Sequence, residues 1–154
     1  MQRLSIINHL SGAPGLRLAG LGPYLLPTKG ILKLKAFLDQ NTFWAQNRSI
    51  KNIKKLLAES SVIVTIWEGR RLVAFGRATG DTIYRAALWD IVVAKDKQRL
   101  GVGKLLINEI LKSKKLKEVE KIYLMTTDQG DFYRQVGFHP VTSQELLVFN
   151  ASNK

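Results

Sequence analysis

Hydrophobic and polar positions divide the chain into a loop-like beginning and a regular remainder. Residues 11–30, "SGAPGLRLAGLGPYLLPTKG", are rich in glycine and proline and keep no helical or strand period. From residue 31 the pattern sharpens. Ile31, Leu34 and Leu38 recur at helical spacing, and so do Ile50, Ile53, Leu56 and Leu57 behind Ser49, a natural N-cap. Two helices are expected. The runs "SVIVTIW" and "RLVAFGRA", joined across "EGR", are β-branched and apolar, which predicts a hairpin. A turn at residues 79–82, "TGDT", then leads into a long third strand, "IYRAALWDIVV", that ends at Val93.

Beyond that strand, Val102, Leu105, Leu106 and Ile110 mark one face of a helix reaching about Lys114. "KIYLMTT" reads as a strand, "DFYRQVGF" as a short helix closed by Gly137, and "ELLVF" as a last strand. An antiparallel meander that continues into a strand, helix, strand crossover is an α/β (α+β) arrangement: a mixed, mostly antiparallel twisted sheet flanked by helices. At 154 residues the chain is expected to hold one domain. Residues 1–30 are assigned to an irregular lead-in and 31–150 to the folded domain.

Composition narrows the chemistry. The chain has no cysteine, which removes disulfides, thiolate nucleophiles and cysteine-based metal sites. His9 and His139 are isolated and read as surface or loop residues, so no metal is expected. A formal net charge of +12 favours an anionic partner: nucleic acid, an acidic surface or a phosphate-bearing cofactor. Charge is the sole support for nucleic acid, because no zinc spacing, helix-turn-helix cue or aromatic RNA-binding motif accompanies it. The basic run "KSKKLKEVEK" is interrupted by Glu118 and Glu120 and reads as a solvated helix end. No apolar run is long enough to cross a bilayer, and no secretory signal pattern opens the chain, so no membrane partner is expected and a cytoplasmic or plastid-stromal location is.

The stretch "KDKQRLGVGKLL" carries the most information. Glycines at a strand end let the backbone bend sharply and approach a ligand, while the first amides of the next helix lack intrahelical partners. The amides around Leu100, Gly101, Val102, Gly103 and Lys104 thus form a candidate pyrophosphate site at a helix N-terminus. Arg99 and Lys104 could add charge-assisted contacts. The third glycine of a dinucleotide fingerprint and the GK[ST] ending of a P-loop are both missing. A tight turn with a helix cap is the competing explanation.

In context, "LWDIVVAKDKQRLGVGKLL" resembles motif A of the GCN5-related N-acetyltransferases, with Gln98, Gly101 and Gly103 at the motif positions. "DFYRQVGF" resembles the motif B helix of that family, through Tyr133, Gly137 and Phe138. "FGRATGDTIYRAALWDIVV" looks like the cyanobacterial and plastid branch, which includes enzymes described as serotonin N-acetyltransferases. The resemblance implies acetyl-CoA as co-substrate, direct transfer to an amine without a metal, and contacts to the cofactor from the backbone of Val92 and Val93 as well as residues 98–104. It departs from the family pattern at Lys95, where proline is frequent, at Arg99, where glycine is, and before the motif B helix, where "TTDQG" stands for the usual Asn or Asp.

Direct transfer requires an amine to lose a proton, a carbonyl oxygen to be stabilised and a thiolate to be protonated. Tyr133 is the candidate proton donor, matching the family's acid position; a core tyrosine is the alternative. Asp90 is the candidate base, because a carboxylate near the end of a central strand needs either a partner or a task. The alternative is a structural ion pair with an arginine such as Arg77 or Arg85, and a water chain could replace either residue. Strand alternation puts Asp90 on the face of Leu88 and Val92 unless a β-bulge intervenes. A backbone amide near Val92 is the implied oxyanion donor.

For the acceptor, a small-molecule amine such as an arylalkylamine or a protein amine, Trp89, Tyr84, Phe132 and Trp67 could stack, with Tyr24 or Trp44 as further walls. A non-catalytic acyl-CoA-binding module is the second functional reading. A homodimer is open, since the apolar lead-in offers an interface.

Overall fold

The structure is a computed structural model, and residues 3–9 and 29–151 are described. Its centre is a five-stranded sheet in sequential order. The strands are β1 (Leu4–His9), β2 (Val62–Glu68), β3 (Arg71–Gly80), β4 (Arg85–Val93) and β5 (Lys121–Tyr123). Pairing is antiparallel from β1 to β4 and parallel between β4 and β5. The helices are α1 (Gly30–Asn41), α2 (Ile50–Glu59), α3 (Val102–Leu111) and α4 (Gly130–Gln135).

β2 is buried at six successive positions, Val62–Trp67, so both faces of the sheet are covered there. Leu34 and Leu38 from α1, Ile53 and Leu57 from α2, and Leu106 and Ile110 from α3 have no exposed surface. Each such side chain contributes about 1.5–3 kcal/mol by leaving water. The expected caps work locally. Ser49 accepts a hydrogen bond from the Asn52 N–H at 3.1 Å and starts α2. Gly137, with φ of 101°, ends α4 as its N–H bonds to Arg134 and the Phe138 N–H bonds to Tyr133.

Four expectations change. The lead-in is not irregular throughout, because Leu4–His9 forms β1 and pairs with β2 in register from Leu4 opposite Glu68 to His9 opposite Ile63. The turn-rich sequence that follows hid this short strand; Tyr24 and the rest of 10–28 lie outside the described residues. His9 is buried rather than a surface residue, and its Nε2 and Thr65 Oγ1 are 2.9 Å apart. Thr65 also accepts a hydrogen bond from Trp67 Nε1, so Trp67, fully buried, belongs to the core and not to an acceptor wall. Finally, "ELLVF" pairs with no strand among the described residues, and Leu146, Leu147, Val148 and Phe149 are exposed.

Candidate functional site

The sheet opens where β4 and β5 part. They pair only from Arg85 opposite Lys121 to Ala87 opposite Tyr123, so among the described residues the second half of β4 has β3 on one side and no strand on the other. On the β3 side, β4 carries one residue more than its partner between Phe75 opposite Val92 and Arg77 opposite Trp89. Asp90 lies inside this bulge with φ of 52°, a left-handed conformation rare for a side-chain-bearing residue but tolerated by Asp. The Ala94 N–H donates to Val73 O at 2.9 Å. By antiparallel alternation the backbone of Val92 then faces β3, while the N–H groups of Ile91 and Val93 face the split. The donor position expected near Val92 therefore shifts by one residue.

The bulge settles where the Asp90 carboxylate goes. Its Oδ2 accepts from Arg77 Nε at 2.8 Å and from Arg48 Nη1 at 2.9 Å, and its Oδ1 accepts from Arg48 Nη2 at 3.1 Å. Burial pushes this carboxyl up, but the hydrogen bonds and charges of the two guanidinium groups outweigh it, and the net effect holds Asp90 below the ordinary carboxylate range. A carboxylate that stays ionised with both oxygens engaged is a poor proton acceptor. Of the two arginines named from the sequence, Arg77 is the partner; Arg85 pairs with Glu120 at 3.3 Å instead. Arg48, in the connection between α1 and α2, has no sequence signal at all, being 42 positions away.

At the far end of β4 the glycine-bearing loop is anchored on three sides. The Lys95 N–H donates to Asn41 Oδ1 at 3.2 Å, Arg71 forms a two-pronged pair with Asp96 at 2.6 and 2.8 Å, and Lys97 reaches Glu68 at 2.6 Å. Gln98 donates to Val93 O at 3.2 Å, across the mouth of the loop. Arg99 and Gly101 both have positive φ, 61° and 81°. A glycine at position 99, as in the family pattern, would relieve the first, for which left-handed backbone costs roughly 1–2 kcal/mol.

The two glycines serve different ends. A Cβ on Gly101 would meet no atom within 4 Å, so its need for glycine is conformational and the space before it is open. A Cβ on Gly103 would sit 3.0 Å from Phe132 Cζ, so here the missing side chain lets α4 close on the start of α3. Gly101 caps α3, and the first amide bonded back within it is that of Leu105, to Gly101 O at 3.0 Å. The amides just before it are unspent, at the positive end of the helix dipole. Val102 is buried, so only its backbone is available, whereas Arg99, Leu100 and Lys104 are exposed and neither cation has an ion-pair partner among the described residues.

Tyr133 follows Phe132 on α4. Its ring stands edge-on to Phe132 at 5.1 Å and to Phe138 at 6.0 Å, and its hydroxyl has no hydrogen-bond partner among the described residues. Burial pushes this phenol up, which keeps it protonated. Of the aromatic residues considered for the acceptor, Trp89 is half-buried and donates to Thr79 at 2.8 Å, and Tyr84 is exposed. Trp44 and Phe43 stand out from the α1–α2 connection as an exposed edge-to-face pair, 5.1 Å between ring centres.

Comparison with known proteins agrees with this geometry. Residues 59–140, which contain the bulge, the glycine loop and α4, match the model of the acetyltransferase (GNAT) domain. The chain is 35% identical over 122 residues to the uncharacterized N-acetyltransferase ycf52 of Porphyra purpurea, covering 75% of this chain and 69% of that one. It is 39% identical over 70 residues to the chloroplastic GCN5-related N-acetyltransferase 1 of Arabidopsis thaliana, covering 45% and 36%. The chain spans 69% and 55% of the length of the ycf52 relatives from Porphyra purpurea and Pyropia yezoensis. Among solved structures, an acetyltransferase of Xanthomonas campestris pv. campestris assigned to the GNAT family superposes with a TM-score of 0.70 at 21% identity, over 94% of each chain, which shows the shared fold. The chain is a member of the GNAT acetyltransferase family, and its similarity to ycf52-like and plastid members supports the cyanobacterial and plastid branch.

Proposed function

We propose that the chain is an N-acetyltransferase that uses acetyl-CoA to acetylate a primary amine. The observation that carries this reading is the parting of β4 from β5 beside the glycine loop. It leaves a strand edge that leads into the glycine loop, and Gly103 of that loop lies against Phe132, the neighbour of Tyr133. The residues fit such a co-substrate: open space before Gly101, unspent amides at the start of α3, and exposed Arg99 and Lys104 suit a pyrophosphate. The N–H groups of Ile91 and Val93 suit an extended amide-bearing arm. Acetyl-CoA would supply an activated acetyl thioester.

The chain's own groups then divide the work. The outward N–H groups at the bulge can donate to an oxygen as it gains negative charge. Tyr133 holds a proton that it can give to a departing thiolate. Asp90 holds Arg48 and Arg77, fixing the α1–α2 connection against the bulge, and the amine's proton leaves by water rather than through this carboxylate. The exposed Phe43 and Trp44 pair on that connection is the acceptor-side surface in this reading, open to an arylalkylamine or to a protein amine. The chloroplastic relatives support a plastid stroma as the place of action.

Calorimetric titration with acetyl-CoA, followed in the same sample by thiol release on adding serotonin, tryptamine, polyamines and a lysine peptide, tests the reading. Binding with release for one amine supports the enzyme and names the acceptor class. Binding without release for any of them supports the non-catalytic acyl-CoA module, and no binding overturns the proposal.

A further inference from the structure

The basic run from Lys112 to Lys117 lies at the opposite end of α3 from the glycine loop, and a helix of ten residues is about 15 Å long. Attraction to the negative end of the helix dipole accounts for Lys112, which caps α3. Lys114 and Lys115 come after it, in a turn that is pinned to the core. Leu116 is buried, and the Ser113 carbonyl takes the N–H groups of Leu116 at 2.9 Å and of Lys117 at 3.1 Å. Neither Lys114 nor Lys115 has an ion-pair partner among the described residues.

This turn forms part of the wall of a cleft of about 530 Å³, set between the end of α3 and the paired ends of β1 and β2. The size is that of a small-molecule site. Val62 and Ile63 of β2 are buried and give the cleft an apolar inner wall, while Lys112, Lys114 and Lys115 give it a cationic rim. Glu109 is the one acid among the described lining residues and takes Lys112 at 3.3 Å, so three lysines against one glutamate leave a formal surplus of +2. Neutral donors stand beside them. The Ser113 hydroxyl accepts from the Lys115 N–H at 3.3 Å and keeps its own proton to donate, and Asn8 is an exposed amide at the edge.

We propose that this cleft is a second anion site, separate from the cradle before α3, and that it takes a small phosphomonoester with an uncharged, apolar body. Such a phosphate carries about −2, which matches the surplus on the rim, and it accepts from ammonium and hydroxyl groups together. The β2 wall offers its contact to the body rather than to the anion. A single-stranded nucleic acid is the poorer match, because no aromatic residue is among the described lining residues to stack on a base. The site goes beyond the acetyltransferase reading and rests on no part of it.

Two-dimensional amide NMR of the isotope-labelled full chain tests the proposal, with inorganic phosphate and phenyl phosphate as probes at physiological salt. The expected result is saturable shifts at Asn8 and at residues 61–63 and 109–115. Phenyl phosphate should half-saturate below about 1 mM and bind roughly tenfold tighter than inorganic phosphate. Lys114→Ala combined with Lys115→Ala should weaken phenyl phosphate by roughly tenfold or more and leave the thermal unfolding transition in place. Shifts that never saturate would mean a solvated helix end, and shifts confined to residues 99–104 would mean that the anion uses the cradle alone; either overturns the proposal. Unchanged affinity in the double variant does so too. Equal affinity for the two probes overturns the apolar body. A single-stranded oligonucleotide that binds through residues 112–117 where phenyl phosphate does not overturns the small-molecule assignment.

Discussion

Replacing Asp90 by Asn separates two roles that its position allows. Asn has nearly the same shape and tolerates left-handed backbone as Asp does, so the bulge at φ of 52° survives and only the charge is removed. The Asp90 side chain is 5% exposed, and its partners Arg77 and Arg48 are 15 and 28% exposed. Deleting one member of a fully buried pair costs about 3–5 kcal/mol. The water that reaches both arginines reduces this to roughly 2–3 kcal/mol, or about 5–10 °C in Tm for a domain of this size. Asp90→Ala should cost roughly 1 kcal/mol more, because alanine lacks the local hydrogen bonds that ease left-handed backbone. Urea unfolding measures the stability, and thiol release at saturating amine, well below the Tm of each variant, measures turnover. With Asp90 as a holder, Asp90→Asn keeps the shape of its pH–rate profile and loses turnover by less than about tenfold, whereas loss of a general base costs about 10²–10⁴-fold. A variant that keeps wild-type stability but loses more than a hundredfold in turnover, together with the acidic limb of its profile, would refute the holder role and restore Asp90 as the base.

Three other substitutions and one titration probe the rest of the molecule. Gly101→Glu should abolish acetyl-CoA binding in calorimetry by filling the cradle with an anion, and should cost the fold roughly 1–2 kcal/mol through its left-handed φ. Tyr133→Phe should leave acetyl-CoA affinity within about twofold and lower turnover by about a hundredfold; equal loss of both would contradict the division of labour. Gly103→Val should weaken binding through α4, since the added Cβ meets Phe132 at 3.0 Å, and Phe132→Ala in the same chain should restore part of it. His9, which burial lowers from 6.5 to about 4, is neutral in the fold, so the unfolded chain binds more protons between those values. Stability should therefore rise with pH through that window and fall by about 3 kcal/mol from pH 7 to below pH 4 on this account alone. Unfolding curves of His9→Gln, flat over the same range relative to wild type, check it.

Most of the site was legible because its elements are local. Strand, loop and helix around Gly101 and Gly103 follow one another without interruption, and the glycines mark where backbone rather than side chain meets a ligand. Asp90 stood out for a related reason: an acid in an apolar strand demands a partner. The bulge that turns it toward Arg48 depends on one extra residue in β4 relative to β3, and a single strand read alone has no register. Arg48 and Phe132 were missed as partners because their contacts join segments far apart in sequence. β1 was hidden by its brevity and the glycines after it. "ELLVF" has every local property of a strand, yet pairing is a property of two segments, and no second segment pairs with it among the described residues.

The short pairing between β4 and β5 makes ligand binding a stability term. Past Ala87 the outer edge of β4 has no neighbouring strand among the described residues, so its outward amides are open to a ligand. A ligand lying along it completes the sheet, so its binding energy is also folding energy. At a hundred times its dissociation constant it adds about 2.7 kcal/mol to the stability of the folded state. In the proposed reading, in which acetyl-CoA is that ligand, its depletion would withdraw the same increment of stability.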